Sequence, residues 1–418
     1  MYKLGNLFNR HLSKDEILSD TSIFDASASA LGYIYQVRYA LLLALQKIGE
    51  VNDPDDCFVS IEKLDDIAFE ESGNPIELLQ AKYHGSPGNL TDRSPDLWKT
   101  IRVWSEMILG GGKPFEEAAF TLLTTESAQP QSIASYLGVD EEQRDIENAL
   151  KTMQEIATET GNKTNKKAYE QFSSLEPWKQ KRLLRSVYVV DNSPTITEVE
   201  DKIKRILRMS ASNHHVDAFT VRLEGIWFKR VIEVISLEGG GTIGIGELVS
   251  VIDDLRSQFL PSNLPSDYDD IEPEDIDIEN DDRIFVDQLR LIGASNRVIR
   301  NAIINYYRAF EQRSRWSRES LVKPGELKKY MDLLKDEWEQ HSSLIDMDYD
   351  LTQESEKISS GKKLYQVCQM EGAKPIRPEF RSSYVARGTY HDLSDKKSIG
   401  WHPDFQNELK PANDGKVA

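Results

Sequence analysis

The chain has 418 residues, of which 39% are hydrophobic and 29% are charged, and its formal net charge is −19. This length allows two or three domains, and the composition is that of a globular protein. The acidity argues against a protein that coats DNA unaided, because non-specific DNA affinity comes from basic residues that neutralise phosphates.

No apolar run reaches the length of a membrane span, and the run Ala40–Leu45 belongs to an amphipathic pattern. The first residues contain no apolar signal core, so we expect a cytoplasmic protein with no membrane association. Cys57 and Cys368 lie far apart and predict neither a disulfide framework nor a zinc site.

The first predicted element is a helix over residues 28–49. Its apolar positions recur at helical spacing and cover one broad face. These positions are Leu31, Ile34, Tyr35, Leu41, Leu42 and Leu45.

A β-hairpin is predicted next, with a first strand from Cys57 to about Phe69, a turn near Gly73 and a second strand from Pro75 to His84. Side chains alternate along a strand, so Gln80 and Lys82 point to the same face. The first strand contributes the acidic residues, so carboxylates and a Gln-x-Lys sequence lie on neighbouring strands.

The register of this hairpin decides which carboxylate faces Lys82. A Ser72-Gly73-Asn74 loop places Asp66 opposite Gln80 and Glu62 opposite His84, whereas a Gly73-Asn74 turn replaces Asp66 by Asp65. The apolar row Val59, Ile61, Ile67 and Phe69 favours the first register, because that row belongs in the core.

Oxygen atoms of carboxylates and carbonyls are the ligands that Mg²⁺ prefers, and a lysine can stabilise charge developing on a phosphate. By spacing alone, solvated charges on an edge hairpin are the more common explanation, because hairpins rich in acidic residues and lysine are frequent on protein surfaces.

After the hairpin, the sequence Ser94-Pro95-Asp96 predicts a helix start, and Trp98, Ile101 and Trp104 form its apolar stripe. The β-branched run 118–125 predicts a buried strand. Residues 140–209 and 216–260 are predicted to be helical, apart from a strand-like stretch at 186–190. The glycine-rich segment 239–246 lacks the Lys-Ser/Thr of a phosphate loop, so we expect a flexible turn there.

Residues 266–282 contain ten Asp or Glu and no Lys or Arg, which predicts a disordered acidic linker. Beyond this segment, residues 284–341 show the apolar spacing of helices.

Several motifs carry a family resemblance. Gly32-Tyr-Ile-Tyr-Gln36, Ile61-Glu-Lys-Leu-Asp-Asp-Ile67 and Leu79-Gln-Ala-Lys82 resemble the nuclease domain of bacterial anti-phage effectors related to Mrr-type restriction endonucleases. The stretch Asn305–Glu319 and the tail motifs Arg387–His391 and Gly400–Pro403 resemble the C-terminal domain of effectors in ABC-three-component defence systems.

The resemblance implies an α/β restriction-endonuclease-like domain over residues 1–195. A helical connector (196–264), the acidic linker (265–283) and a helical assembly domain (284–418) follow, so the middle and C-terminal domains are mainly α-helical. It further implies a metal-dependent DNA endonuclease that acts with an SMC-like ABC ATPase and a small middle component, with homo-oligomerisation possible. The alternative is a catalytically silent scaffold that binds DNA or protein.

By this resemblance, Asp66 and Gln80 hold Mg²⁺ or Mn²⁺, with Gln80 acting through its main-chain carbonyl or its side chain. Glu62 assists as ligand or base, and Lys82 positions the water or stabilises the phosphate charge. Gln36 on the first helix is a secondary candidate, as is Asp65. The three arginines of the C-terminal helix are expected to bind a partner subunit, with contact to DNA phosphates as the alternative. They are Arg313, Arg315 and Arg318.

Overall fold

The computed structural model describes residues 21–110 and 117–409. The chain divides into two compact units, the first within residues 1–210 and 220–253 and the second within 211–219 and 254–418. Each unit is described by itself.

The first unit contains a six-stranded mixed sheet with the order β7-β5-β3-β2-β1-β8. Strands β1, β2 and β3 pair in antiparallel fashion, whereas β3, β5 and β7 are parallel. The strands are β1 (Cys57–Ile61), β2 (Ile67–Glu71), β3 (Asn74–Lys82), β5 (Ala119–Thr124), β7 (Val187–Val190) and β8 (Ile243–Gly244), with β4 (Asn89–Leu90) and β6 (Ser127–Ala128) forming a separate parallel pair.

The predicted first strand of the hairpin is in fact two strands, because the chain reverses between Ile61 and Ile67, which pair with each other. The glycine-rich segment also differs from the prediction. Within it, Ile243 and Gly244 pair with β1 and form the outermost strand of the sheet.

The β2–β3 turn differs from both predicted registers. Glu71 pairs with Asn74, so the turn consists of Ser72 and Gly73, which both have positive φ. This is the backbone conformation that a tight two-residue hairpin turn requires. A bulge between Phe69 and Glu70 then shifts the pairing by one residue and restores the register in which Ile67 lies opposite Leu79.

Helices cover the sheet of the first unit. Helix α2 begins at Pro95, as predicted, and its Trp98, Ile101 and Trp104 are buried in the main core. In α1, Tyr35 is buried as predicted, whereas Leu31 and Ile34 are exposed. The helices are α1 (Thr21–Lys47), α2 (Pro95–Gly110), α3 (Ile133–Tyr136), α4 (Ile146–Ala157), α5 (Lys166–Ser174), α6 (Pro177–Ser186), α7 (Ile196–Leu207), α8 (Val216–Ile235) and α9 (Ile245–Gln258). Residues 216–219 of α8 and 254–258 of α9 belong to the second unit.

The second unit is helical, which agrees with the prediction for the C-terminal region. Helices α11 and α14 pack closely at Gly388, where a side chain would overlap the main-chain carbonyl oxygen of Asn305. The helices are α10 (Ile284–Leu291), α11 (Asn296–Arg318), α12 (Glu326–Asp346), α13 (Glu354–Met370), α14 (Tyr384–Asp395) and α15 (Phe405–Glu408).

The acidic segment 266–282 belongs to this second unit, which differs from the predicted linker. The Asp267 amide donates to Gln312 Oε1 at 2.6 Å, and Arg308 Nε donates to the Ile271 carbonyl at 2.6 Å. Apolar residues within the segment, such as Ile276, pack against the helical core. Such contacts offset the backbone entropy that the acidic composition alone would leave uncompensated.

The helices within residues 21–110 and 117–409 include none that combines the length and the hydropathy needed to cross a bilayer.

Candidate functional site

The predicted site residues lie at one end of the central sheet. Asp66 directly precedes β2, and Lys82 is the last residue of β3. Because β2 and β3 are antiparallel, the start of one strand and the end of the other meet at the same end of the sheet.

Asp66, Gln80 and Lys82 form a connected polar cluster, which we call the Asp66 cluster. Asp66 Oδ2 accepts hydrogen bonds from the Ala81 amide at 2.8 Å and from Lys82 Nζ at 3.3 Å. Gln80 Nε2 donates to Asp66 Oδ1 at 3.2 Å, and Gln80 Oε1 accepts from Lys82 Nζ at 2.7 Å. All three side chains are half-buried, so the cluster is both fixed and reachable from solvent.

Asp65 contacts the same cluster from the interior. Its side chain is buried, accepts a hydrogen bond from Trp104 Nε1 at 2.8 Å and also accepts one from Gln80 Nε2. Burial raises the pKa of Asp65 to about 6, and repulsion from Asp66 acts in the same direction, whereas the Trp104 and Gln80 hydrogen bonds oppose the shift. Asp65 therefore orients Gln80, while Asp66 is the carboxylate that contacts Lys82.

Glu62 is not on the strand where it was predicted, opposite His84. It lies in the β1–β2 connection with φ +57°, and its amide donates to the Asp66 carbonyl at 3.2 Å. Its carboxylate is nevertheless within electrostatic range of the cluster. Loss of hydration and the neighbouring Asp66 raise the pKa of Glu62, and Lys82 opposes this shift.

Gln36 is half-buried on α1, and among the described residues it makes no hydrogen bond to the Asp66 cluster. Helix α1 does approach the end of β3, where the rings of Tyr35 and Tyr83 lie 4.9 Å apart. The pKa of Tyr33 is raised by burial and by the Glu62 carboxylate. The helix face beside the site is therefore marked by Tyr33 and Tyr35 rather than by Gln36.

The donor set of the Asp66 cluster suits a hard divalent cation. Asp66 and Gln80 supply oxygen atoms, and Glu62 adds a nearby carboxylate. Mg²⁺ commonly takes only one or two carboxylates and keeps several waters. In the observed rotamer, Gln80 turns its amide nitrogen toward the two aspartates, so binding through its side-chain oxygen requires the amide to rotate.

Two features near this site are absent from the sequence prediction. One is the indole of Trp104, which was predicted as core and also hydrogen-bonds Asp65. The other is a group consisting of His84, Asp96 and Glu126, whose ligand atoms all lie within 4.8 Å of one another. Strand alternation puts His84 on the Lys82 face, but the approach of Glu126 depends on the parallel pairing of β3 and β5.

The three C-terminal arginines do not form one exposed patch. Arg313 is buried and pairs with Asp392 at 2.9 Å. Arg315 pairs with Glu319 at 2.8 Å and lies 3.3 Å from Asp267. Only Arg318 of the three is exposed. Because Arg313 and Arg315 pair with internal carboxylates, Arg318 is the one of the three that stays a predicted partner contact.

Comparison with known proteins supports the C-terminal resemblance. Residues 285–409 match the family model described as C-terminal domain 7 of the ABC-three component (ABC-3C) systems. This match, which covers the helical region from α10 to α15, supports a place for the chain as a component of such a system. A search of curated proteins finds no match.

Proposed function

We propose that this protein is the nuclease effector of an ABC-three-component system, and that the Asp66 cluster cleaves DNA with the help of Mg²⁺ or Mn²⁺. The single observation that carries the proposal is the contact of Lys82 Nζ with both Asp66 and Gln80 at the end of the sheet. The main elements around the cluster follow one another in the order α1-β1-β2-β3-α2-β5, with the short strand β4 between β3 and α2. This alternation of helix, strands, helix and strand supports the restriction-endonuclease-like domain that we propose.

Each side chain has a distinct task in this proposal. Asp66 and Gln80 hold the cation through oxygen atoms, and Glu62 accepts a proton from the attacking water or completes the ligand set. Lys82 donates to the non-bridging oxygens, where negative charge increases as water attacks phosphorus and the bond to the leaving oxygen breaks. A divalent cation bound at this position would polarise the phosphate and lower the pKa of a coordinated water.

The glutamine has an electrostatic consequence. A neutral amide at position 80 leaves one negative charge fewer than an acid would provide, which weakens cation binding. The net charge of −19 also disfavours unaided binding to DNA. We therefore infer that cleavage needs the other system components, an SMC-like ABC ATPase and a small middle subunit, which supply positive surface and position the double-stranded DNA.

The test is incubation of linear and supercoiled DNA with Mg²⁺, with and without the cognate ATPase complex. We expect Lys82→Ala to reduce cleavage by about 10²- to 10³-fold, the usual effect of removing one stabiliser of transition-state charge. Asp66→Asn should reduce cleavage to a similar extent. Asp65→Asn is the matched control and should be milder, because Asp65 touches the interior side of Gln80.

A catalytically silent scaffold is the second candidate, and the acidity of the chain favours it. Full phage protection by a folded Lys82→Ala variant, together with no Mg²⁺-dependent cleavage by the assembled complex, would establish the scaffold and refute the nuclease. If Asp65→Asn abolished cleavage and Asp66→Asn did not, the assignment of the two aspartates would be reversed.

A further inference from the structure

A histidine and two carboxylates converge beside the end of β3, separate from the hydrogen bonds of the Asp66 cluster. His84 follows β3, Asp96 lies in the first turn of α2, and Glu126 follows β5. The distance between His84 Nε2 and Asp96 Oδ2 is 2.7 Å, and the ligand atoms of all three residues lie within 4.8 Å of one another.

The backbone around these residues is held in place by hydrogen bonds to two threonine hydroxyls. The His84 amide donates to Thr125 Oγ1 at 2.9 Å, and the Thr125 hydroxyl donates back to the His84 carbonyl at 3.2 Å. The Glu126 amide donates to Thr124 Oγ1 at 3.1 Å. Together with the parallel pairing of Lys82 with Thr124, these bonds fix the main chain at His84 and Glu126.

An ordinary ion pair does not account for Glu126. His84 and Asp96 satisfy each other, and no donor among the described residues hydrogen-bonds the Glu126 carboxylate. Three half-buried groups with two negative charges thus face one another around a single imidazole. A bound cation would neutralise this arrangement and use all three residues.

We propose that His84, Asp96 and Glu126 bind a transition-metal ion such as Zn²⁺ or Mn²⁺. Imidazole nitrogen favours these ions over Mg²⁺, and three protein ligands leave coordination positions for water. The ion would join the end of β3, the start of α2 and the end of β5, and so fix the strand that carries Lys82. The inference does not rest on the proposed nuclease activity, because it concerns a different ligand set.

The test is isothermal titration of the full-length chain with Zn²⁺ in millimolar Mg²⁺, so that an oxygen-only site is already filled. We expect one equivalent of Zn²⁺ to bind, His84→Ala to abolish that binding, and Glu126→Gln to weaken it at least about tenfold, since even indirect supporting residues of metal sites have effects of that size. Two controls should retain binding. His214→Ala removes an exposed histidine of the second unit, and Asp66→Asn alters the other cluster.

Thermal unfolding provides a second measurement. Zn²⁺ should raise the midpoint temperature of unfolding of the wild type but not of Glu126→Gln, because an ion that binds only the folded state stabilises that state. If His84→Ala fails to fold, Glu126→Gln decides the question, since it keeps the size of the side chain. The inference is overturned by absence of saturable uptake, by wild-type uptake in Glu126→Gln, or by loss of binding only in Asp66→Asn or His214→Ala.

Discussion

The buried carboxylate of Asp65 makes the stability of the first unit depend on pH. Its pKa is raised to about 6 because burial disfavours the charged form, whereas the ordinary value is near 3.8. The folded protein therefore binds more protons than the unfolded chain between these two values. The contribution of Asp65 to stability is fully present below about pH 4 and is lost as the pH rises through about 6.

The size of this effect follows from the displacement of the pKa. A displacement of about two pH units corresponds to about 3 kcal/mol of unfolding free energy, at about 1.4 kcal/mol for each unit. Asp65→Asn removes the titrating group. We expect the unfolding free energy of the variant relative to the wild type to increase by about 3 kcal/mol between about pH 4 and about pH 7.

A second substitution should raise the pKa of Asp65 further. Trp104→Phe removes the indole donor that lowers the pKa of Asp65, so the loss of stability should extend to higher pH. An unsatisfied charged oxygen at this buried position adds a cost of about 2 kcal/mol above pH 7. Trp98→Phe is the matched control, because the indole of Trp98 donates to the main-chain carbonyl of Asp92 and not to a carboxylate.

Hydrogen exchange measured along a urea series is a suitable assay. Peptides from β2 and β3 report the urea concentration at which the first unit alone is half unfolded. This matters because a chain of two units need not unfold in one transition. If the unfolding free energies of Asp65→Asn and the wild type change in parallel between about pH 4 and about pH 7, the assignment of the titration to Asp65 is refuted.

The remaining predictions concern other parts of the chain. Gly388→Ala should destabilise the second unit by about 3 kcal/mol in thermal unfolding, because the alanine side chain would overlap the main chain of α11. Gly225→Ala is the control at an open position of α8, and it should be neutral or stabilising. Arg313→Met should destabilise the second unit by about 3 kcal/mol, because it removes the buried arginine that pairs with Asp392. Arg318→Glu should leave folding intact and weaken co-purification with the ATPase at moderate salt. Intact co-purification would exclude Arg318 as a partner contact. Gln80→Glu should lower the free energy of unfolding without metal by about 1 kcal/mol, since it loses amide donors to two aspartates. It should also increase the stabilisation by added Mg²⁺, and no change in that response would argue against a cation at the Asp66 cluster.

The sequence by itself determined the features that depend on local spacing. Alternation along β3 placed Gln80 and Lys82 on one face, and Ser94-Pro95-Asp96 located the start of α2, because strand and helix geometry repeat over a few residues. The apolar row of the hairpin favoured Asp66, and the structure does bring Asp66 to Lys82. The C-terminal motifs indicated the family that the match over residues 285–409 supports.

Only the tertiary structure decided the features that join residues distant in the chain. The Asp66 register depends on a bulge between Phe69 and Glu70, which compensates for a Ser72-Gly73 turn that neither predicted register contains. The internal pairing of Arg313 with Asp392 likewise joins residues from two separate helices. Sequence spacing constrains neighbours within one element, whereas such contacts arise from packing between elements, where burial and electrostatic pairing select one arrangement among many.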